Sequence, residues 1–325
     1  MSDDPQKLPP NAVSATNPLP APGKSFITQK FARLNFGQFS LVGSSIAGEE
    51  TVVQVPELNV CFDFGRAPGF SLTSDIVCLS HGHMDHIAGI GYYFSQRYFQ
   101  DMKPGKVLLP IEIYRPVEAL LKAWRDVERQ NTPAQLVAMQ PGEEYEVRRD
   151  FLIRSYGTHH GGASLGYGLI SVREKLRPEY THLTGPQLVE LKKQGVEIQY
   201  RVEVPLVVYL GDTAAGPVFG HPDVQNAQVL VTECTFYERD HRAKAKAGRH
   251  LHVDEFADIL MGLKNPHIVI GHVSRRTGVR RAKRILTKIA GAEAMARVHF
   301  LNDFDDATDG GDVDSMSPVH QQDGP

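Results

Sequence analysis

The segment His81-Gly-His83-Met-Asp85-His86 places three histidines and one aspartate within six residues. It follows an apolar run, residues 75–80, so the cluster lies where a buried strand leaves the core. His81 and His83 alternate and can point the same way in an extended loop, while Asp85 and His86 follow as the chain turns into a helix. Neutral imidazoles and carboxylates are ligands that suit zinc. The spacing therefore predicts one tight loop that supplies ligands to two adjacent metal ions.

Ionisable residues also follow four other apolar runs of the sequence. They are His159 and His160 after residues 151–156, Asp212 after residues 205–210, Glu233 after residues 228–232, and His272 after residues 267–271. Short apolar, β-branched runs separated by helical patterns and glycine-rich turns are typical of an α/β architecture. If the strand ends converge on one edge of the sheets, their polar side chains form a single site. Both ligand types, more than four ligands and no cysteine indicate a catalytic pair of ions rather than a closed structural site.

The composition divides the chain into one folded body and two polar ends. Residues 1–24 are rich in proline, and residues 302–325 contain seven aspartates and no lysine or arginine. Both compositions are typical of disorder, so we predict a disordered arm, a single domain over residues 25–301, and a disordered acidic tail. The tail contributes −7 to the net charge of −3, which leaves residues 1–301 at +4. A mildly basic body is compatible with a polyanionic ligand but does not require one.

The cysteines and the hydropathy bear on the compartment. Cys61, Cys78 and Cys234 are odd in number and widely spaced in apolar runs, which is typical of reduced core residues. The sequence contains neither an apolar run near 18 residues nor the pattern of a signal peptide. We therefore expect a cytoplasmic protein without a membrane segment.

Several longer motifs accompany the histidine loop. They are CFDFGRAP (61–68), HHGGASLGYGL (159–169), LTGPQLVELKKQGVEI (183–198), YLGDT (209–213), TECTF (232–236), RHLHVDEFA (249–257) and GHVSRR (271–276). With them the sequence resembles the metallo-β-lactamase superfamily, whose loop has the form HxHxDH. It resembles more closely ribonuclease Z, the tRNA 3′-processing endonuclease, in the short form seen in plants. The resemblance covers about residues 35–301 and implies an α/β fold, the metallo-β-lactamase αβ/βα four-layer sandwich with two packed mixed β-sheets.

The resemblance also implies which residues bind the metal ions. His81, His83 and His160 would hold one zinc ion, Asp85, His86 and His272 would hold the second, and Asp212 would bridge the two Zn²⁺ of each chain. His160 is preferred to His159 because it stands four residues before Ser164, as in the family pattern HxxxSxGY. Two adjacent zinc ions lower the pKa of a bridging water and stabilise both the attacking and leaving oxygens of a displacement at phosphorus.

Three residues are expected to act in this reaction, again by resemblance. A hydroxide would attack the scissile phosphate, with Asp85 serving both as a ligand and as the acceptor of the water's proton. His250 would protonate the departing 3′-oxygen, and Glu233 would orient its imidazole. His252 is the competing histidine two residues further on. The products would be a tRNA with a 3′-hydroxyl and a trailer with a 5′-phosphate.

Two regions are candidates for RNA contacts. Residues 171–200 correspond to the arm with which the family grips the tRNA elbow, and here the arm is short. Its candidate contacts are Gly185, Pro186, Lys192 and Lys193, with a compact surface hairpin as the alternative interpretation. Residues 275–288 contain seven basic residues and no acid, which indicates phosphate affinity.

The candidate contacts of that second region are Arg276 and Arg280. In the same region the chain departs from the family pattern, because Thr277 replaces the usual tyrosine of Ser-x-Arg-Tyr. A contact made by that tyrosine is therefore not carried over to this chain.

The leading hypothesis is a zinc-dependent endoribonuclease that removes the 3′ trailer from precursor tRNA. A homodimer is expected from the resemblance alone. The first alternative is a hydrolase of a small phosphodiester or ester, for which the arm would be incidental. A non-catalytic RNA-binding protein is the weakest alternative, because such a protein need not retain all seven metal ligands.

Overall fold

A computed structural model describes residues 31–304 of the 325-residue chain. The predicted proline-rich arm and residues 305–325 of the predicted acidic tail lie outside the described residues. Asn302, which the composition assigned to the tail, accepts a hydrogen bond from Ser45 N at 2.9 Å and donates one to Ser44 Oγ at 3.0 Å. The described fold therefore continues past Leu301 to Phe304.

Two mixed sheets of seven strands form the centre of the described part. In the first sheet the spatial order follows the chain: β1 (Ala32–Asn35), β2 (Ser40–Ile46), β3 (Glu50–Val55), β4 (Val60–Phe62), β5 (Ile76–Cys78), β6 (Lys106–Pro110) and β7 (Gln135–Met139). Strands β1 to β4 pair antiparallel, and β4 to β7 pair parallel.

The second sheet repeats this arrangement. Its strands, again in chain order, are β8 (Glu144–Arg148), β9 (Phe151–Gly157), β10 (Leu165–Leu176), β11 (Gln199–Tyr209), β12 (Val229–Glu233), β13 (His267–Gly271) and β14 (Val298–Phe300). Strands β8 to β11 pair antiparallel, and β11 to β14 pair parallel. Since parallel neighbours end at the same edge of a sheet, the residues that follow β11, β12 and β13 are brought together there.

Side chains alternate between the two faces of each parallel strand. In the first sheet Cys78 and Leu108 point into the space between the sheets, whereas Val77 and Leu109 point outward. Parallel strands covered on both faces need apolar residues at consecutive positions, which explains why these runs read as continuously hydrophobic. The Phe62 and Tyr209 rings stack across the gap between the sheets with centroids 4.7 Å apart, so apolar contacts close the interface.

The α-helices of the described residues are α1 (Met84–Ile87), α2 (Ile90–Phe99), α3 (Ile111–Glu128), α4 (Gly185–Lys193), α5 (Pro222–Asn226), α6 (Arg242–Gly248), α7 (Val253–Gly262) and α8 (Val279–Met295). Five of them cover the outer faces of the sheets. Side chains of α2 and α3 pack on the first sheet, and those of α5, α7 and α8 pack on the second. The predicted α/β sandwich of two packed mixed sheets between helical layers is confirmed.

The hairpin of β10 and β11 extends beyond the sandwich. The strands stay paired as far as Leu176 and Gln199, and α4 lies in the connection between them. None of the residues of α4 is buried, and its first turn is closed by a capping box in which the Thr184 and Gln187 side chains bond to backbone N–H groups. Helix α4 therefore holds its own local structure and adds nothing to the apolar core.

Two further expectations concern the described residues. Cys61, Cys78 and Cys234 are buried and free, as predicted for core cysteines. Among the helices of residues 31–304, none has both the length and the apolar character needed to cross a membrane.

Candidate metal centre

The centre forms where strands of both sheets end. The chain leaves β5 at Cys78, continues as an extended loop through His81 and His83, and enters α1, of which His83 is the N-cap. Asp85 and His86 lie in that single helical turn. The loop thus turns four closely spaced side chains toward the ends of the second sheet's strands, as the spacing predicted.

The second sheet contributes the remaining side chains. His160 follows β9, Asp212 follows β11, and His272 follows β13. Two groups of ligand atoms contain the seven candidates, with all atoms in each group within 4.8 Å of one another: His81, His83, His160 and Asp212 in one, and Asp85, His86 and His272 in the other. A third group within the same limit joins His250 to Asp212 and His272. The structure therefore brings together all seven residues named as ligands from the sequence.

Asp212 is placed between the two groups. Its Oδ2 lies 3.8 Å from Nε2 of both His81 and His160, and 3.5 Å and 3.3 Å from Nε2 of His86 and His272. Burial alone would raise the pKa of the Asp212 carboxyl, but the imidazoles of His272, His86 and His81 lower it well below its usual range. A buried, ionised carboxylate that lies within 4 Å of imidazole nitrogens of both ligand groups is suited to bridging two cations.

Four of the imidazoles have their tautomer set by the partner of Nδ1. His86 Nδ1 donates to Asp63 Oδ2 at 2.7 Å, and His160 Nδ1 donates to the Arg249 carbonyl at 3.2 Å; both partners are pure acceptors. His272 Nδ1 lies 2.9 Å from Thr235 Oγ1, whose own proton goes to a Glu233 oxygen at 2.6 Å. In both arrangements Nδ1 carries the hydrogen, so the Nε2 lone pair faces the centre.

The tautomer of His81 is also set by the partner of its Nδ1, which is the Ser80 hydroxyl. The Ser80 hydroxyl donates to Asp63 Oδ2 at 2.8 Å and therefore accepts from His81 Nδ1 at 3.0 Å. Burial lowers the pKa of His81 well below its usual range, which favours the neutral form that binds metals. Nε2 of His81 and Nε2 of His86 are buried and have no hydrogen-bond partner in the structure. Such orphaned acceptors are costly unless a cation satisfies them, so the residues fit a metal centre.

Asp63 supports the centre through hydrogen bonds but was not among the residues named from the sequence. This fully buried carboxylate accepts hydrogen bonds from Ser80 N at 2.7 Å, Ser80 Oγ at 2.8 Å, His86 Nδ1 at 2.7 Å and Tyr209 Oη at 2.5 Å. Its backbone is left-handed, with φ of 56°, a conformation that aspartate tolerates better than most residues. The signal was present, because Asp63 directly follows an apolar strand within the motif CFDFGRAP.

His272 is held in an unusual backbone conformation. Its φ is 57°, in the left-handed region, and its N–H donates to Ser45 Oγ at 2.8 Å. A non-glycine residue in this region costs of order 1–3 kcal/mol. The contact with Ser45 from the first sheet helps to fix a ligand that the second sheet supplies.

His250 stands beside the metal ligands in a different setting. Its Nδ1 lies 2.9 Å from Glu233 Oε1, and its ring stacks against that of His272 with centroids 5.3 Å apart. Burial disfavours the charged imidazole, but the adjacent Glu233 carboxylate outweighs burial and raises the pKa of His250 to about 9. Glu233 is itself buried and accepts hydrogen bonds from Thr213 N at 2.7 Å and Leu251 N at 3.1 Å. His250 is thus a protonated, oriented imidazole at the edge of the centre.

The competing histidines occupy other places. His159 is exposed. Its N–H donates a hydrogen bond to the Thr213 hydroxyl, and its carbonyl accepts one from a backbone N–H. His252 is buried as the N-cap of α7, where its Nδ1 accepts from Asp254 N at 3.3 Å. Neither belongs to the groups of clustered ligand atoms within residues 31–304.

The candidate RNA contacts lie outside the centre. Gly185 and Pro186 form the first turn of α4, and Lys192 and Lys193 form its last turn. Arg276 is exposed in the loop after His272, and Arg280 lies in the first turn of α8. Thr277, the departure from the family pattern, is buried, and its hydroxyl has no hydrogen-bond partner.

Comparison with known proteins first identifies the fold class of this protein. A sequence family described as the beta-lactamase superfamily domain matches residues 68–273. The crystal structure of the metallo-beta-lactamase fold protein YhfI from Bacillus subtilis superposes with a TM-score of 0.56 at 17% identity, covering 80% of this chain and 95% of that one. The two seven-stranded sheets therefore form a metallo-β-lactamase fold.

Two plant relatives then specify the family. The chain is 33% identical to tRNase Z TRZ2, chloroplastic, of Arabidopsis thaliana over 254 residues, which is 77% of this chain and 72% of that protein. It is 34% identical to tRNase Z TRZ1 of the same plant over 245 residues, which is 74% of this chain and 88% of that protein. The chain belongs to the ribonuclease Z family, as the sequence motifs predicted.

The contacts of Asp63 lead to a first testable prediction. In Asp63→Asn the His86 imidazole loses its carboxylate acceptor, and loss of such a partner typically weakens metal affinity about 10–100-fold. We expect a loss of that size in zinc affinity, measured by competition with a chromogenic chelator. Asp150→Asn, a surface carboxylate paired with Arg148, should retain its affinity. Unchanged zinc affinity in Asp63→Asn would show that the contact does not support the centre.

Proposed function

We propose that this ribonuclease Z-type metallohydrolase removes the 3′ trailer from precursor tRNA by cutting one phosphodiester bond. The observation that carries the proposal is a seven-residue ligand cluster with a His250–Glu233 pair that adjoins it at Asp212 and His272. A hydrolase needs both an activated water and a proton for the leaving oxygen. The plant relatives are named as tRNase Z, which supports a tRNA precursor as the substrate.

The proposed cofactor is two Zn²⁺ per chain. His81, His83 and His160 would hold one ion, Asp85, His86 and His272 would hold the other, and Asp212 would contact both. Seven nitrogen and oxygen donors exceed one tetrahedral site. When bound, such a pair supplies an activated water and neutralises charge on the phosphate.

Asp85 is proposed to accept the water's proton. Its Oδ2 accepts from Gly48 N at 2.8 Å and lies 3.3 Å from His272 Nε2. Burial would raise the pKa of this carboxyl, but His272 and His86 lower it far below its usual range. Asp85 is therefore ionised, which is the form that both a metal ligand and a proton acceptor require.

His250 is proposed to donate a proton to the leaving 3′-oxygen. Glu233 holds Nδ1, so Nε2 is the nitrogen that can reach a substrate, and a pKa of about 9 keeps the ring protonated at neutral pH. Gly248 leaves the space for this ring, because a Cβ there would come within 2.9 Å of His250 Cδ2. The side chain is a donor placed next to the ligands without being needed as one.

RNA binding is proposed for two surfaces. The exposed Lys192 and Lys193 lie at the end of α4, a helix that contributes no buried side chain and so has no evident role in folding. Arg276 and Arg280 follow His272 in the chain and supply positive charge beside the centre. A hydrolase of small phosphodiesters would need neither surface. Removal of the arm should therefore distinguish cleavage of precursor tRNA from hydrolysis of a small phosphodiester.

We also propose a homodimer in the cytoplasm. In α3, Leu120 and Val127 lie on one face and are exposed, the latter by 73%. Exposed apolar groups at helical spacing are typical of interaction surfaces. Buried, reduced cysteines are compatible with a cytoplasmic location.

The reaction itself is tested with a precursor tRNA that carries a labelled 3′ trailer. The unmodified protein with zinc should release a tRNA ending in a 3′-hydroxyl. His250→Ala should slow cleavage by roughly 10²–10⁴-fold, the range for a lost general acid, and keep its zinc, whereas Asp212→Ala should lose both zinc and activity. His159→Ala is the matched control and should cleave normally. Zinc loss in His250→Ala would contradict its assignment as a proton donor rather than a ligand.

The arm is tested by deletion of Pro178 to Gln194. Arg177 N donates to the Ile198 carbonyl at 2.9 Å, so a short glycine linker can close the hairpin. We expect pre-tRNA cleavage to weaken at least about tenfold, mainly through KM, because the arm supplies remote binding rather than chemistry. Hydrolysis of a small aryl phosphodiester should stay within about threefold of the parent, since the arm lies outside the centre.

Point variants refine that test. Lys192→Ala with Lys193→Ala should reproduce part of the KM effect, whereas Lys264→Ala, an exposed lysine in the connection between α7 and β13, should not. Equal loss on both substrates after the deletion would mean that the arm supports the fold.

The dimer is tested by light scattering. The parent protein should have twice the 36.0 kDa mass of one chain. Introducing charge with Leu120→Glu and Val127→Glu should give a monomer, because buried unpaired carboxylates oppose association. Met261→Glu changes an equally exposed apolar side chain of α7, 70% accessible, and should leave the dimer intact. A parent protein that is monomeric and active would refute the proposed dimer.

A further inference from the structure

A cavity of about 370 Å³ opens beside the metal centre, at the start of α8. Its walls include Ile46, Ser274, Arg275, Val279, Arg280 and Phe304. Sites for small organic ligands typically measure about 300–1,000 Å³. The cavity is therefore large enough for one nucleotide.

The cavity shares its wall with the centre. Val273 lines it, directly follows His272, and forms a β-bridge with Ile46. The turn after Ile46 returns to the centre, because Gly48 N donates to Asp85 Oδ2 at 2.8 Å. A phosphodiester at the centre therefore has this cavity as its immediate neighbour.

The lining combines an apolar wall with a basic rim. Ile46, Val279 and the Phe304 ring, which is 41% exposed, offer contacts for a flat aromatic base. The Arg275 and Arg280 side chains supply positive charge, and Arg275 is held at the rim by an ion pair with Glu49. The one acidic wall residue, Asp303, is neutralised by Lys283 Nζ at 2.9 Å.

We propose that this cavity binds the first nucleotide of the trailer, with its base on Phe304 and its phosphates near the two arginines. The proposal rests on the proposed function, since it assigns a part of the same RNA. His250, the proposed donor to the tRNA 3′-oxygen, packs against the Phe236 ring on one side of the centre. Among the described residues, none of the segment 233–252 lines the cavity. The cavity meets the centre at the Ile46–Val273 bridge, next to the turn that contacts Asp85, whereas His250 meets it at Glu233. We therefore assign the cavity to the RNA beyond the cut rather than to the departing tRNA.

The test uses two precursor tRNAs that differ only in the first trailer nucleotide, which either carries its base or is abasic. Stacking of one base on an aromatic side chain is worth roughly a factor of ten in binding. For the unmodified enzyme, removal of the base should lower kcat/KM about tenfold. For Phe304→Ala the same removal should cost less than about twofold, because the stacking partner is already gone.

Three controls make the result specific. Phe304→Trp retains an aromatic face and should retain the tenfold effect of the base. Phe99→Ala removes an exposed aromatic side chain from the end of α2 and should also retain it. When the abasic position is moved to the last tRNA nucleotide, Phe304→Ala should not alter the penalty.

The outcomes separate the two proposals. An equal penalty for base removal in the unmodified enzyme and in Phe304→Ala would overturn the cavity as the base site. If Phe304→Ala instead reduced the penalty for an abasic last tRNA nucleotide, the assignment of the cavity to the trailer would be overturned. Failure of the unmodified enzyme to cut the base-carrying precursor at all would refute the proposed function itself.

Discussion

The buried carboxylate of Asp63 is the contact on which the rest of the centre depends. It accepts four hydrogen bonds, from two groups of Ser80, from His86 and from Tyr209. A buried carboxylate without such donors would cost several kcal/mol, and each hydrogen bond to a charged group contributes about 1.5–3 kcal/mol. Since Ser80 and His86 belong to the first sheet's loop and Tyr209 ends a strand of the second, this one side chain ties the two sheets together where the ligands meet.

The same contact sets the chemistry of the ligands. Asp63 fixes His86 directly and fixes His81 through the Ser80 hydroxyl, while Glu233 fixes His272 through Thr235 and fixes His250 directly. Two buried carboxylates thus orient four imidazoles. The two imidazoles beside Glu233 differ in this contact: a hydroxyl separates His272 from Glu233, whereas His250 contacts the carboxylate directly, which raises the pKa of its imidazole.

Sequence reasoning located the centre because its ligands are unusual residues at the ends of apolar strands. The predicted fold is confirmed, and the seven ligand candidates lie together. Asp63 was missed because an aspartate after a strand also suits an ordinary turn, and its role depends on Tyr209, which lies 146 residues away in the chain. Phe304 was missed for another reason: the acidic composition of residues 302–325 concealed three residues that pack on the domain.

The structure separates chemistry from recognition. The ligands and His250 are fixed by buried contacts between the two sheets, so small changes there alter the reaction itself. Helix α4 and the cavity residues Arg275, Arg280 and Phe304 have exposed or partly exposed side chains, whose replacement leaves the core packing in place. The cavity nevertheless shares its Ile46–Val273 bridge with the strand ends that hold His272, and the His272 N–H is bonded to Ser45, one residue before Ile46. A nucleotide in the cavity would therefore rest on the same backbone that positions a metal ligand, which couples the placement of the RNA to the geometry of the reaction.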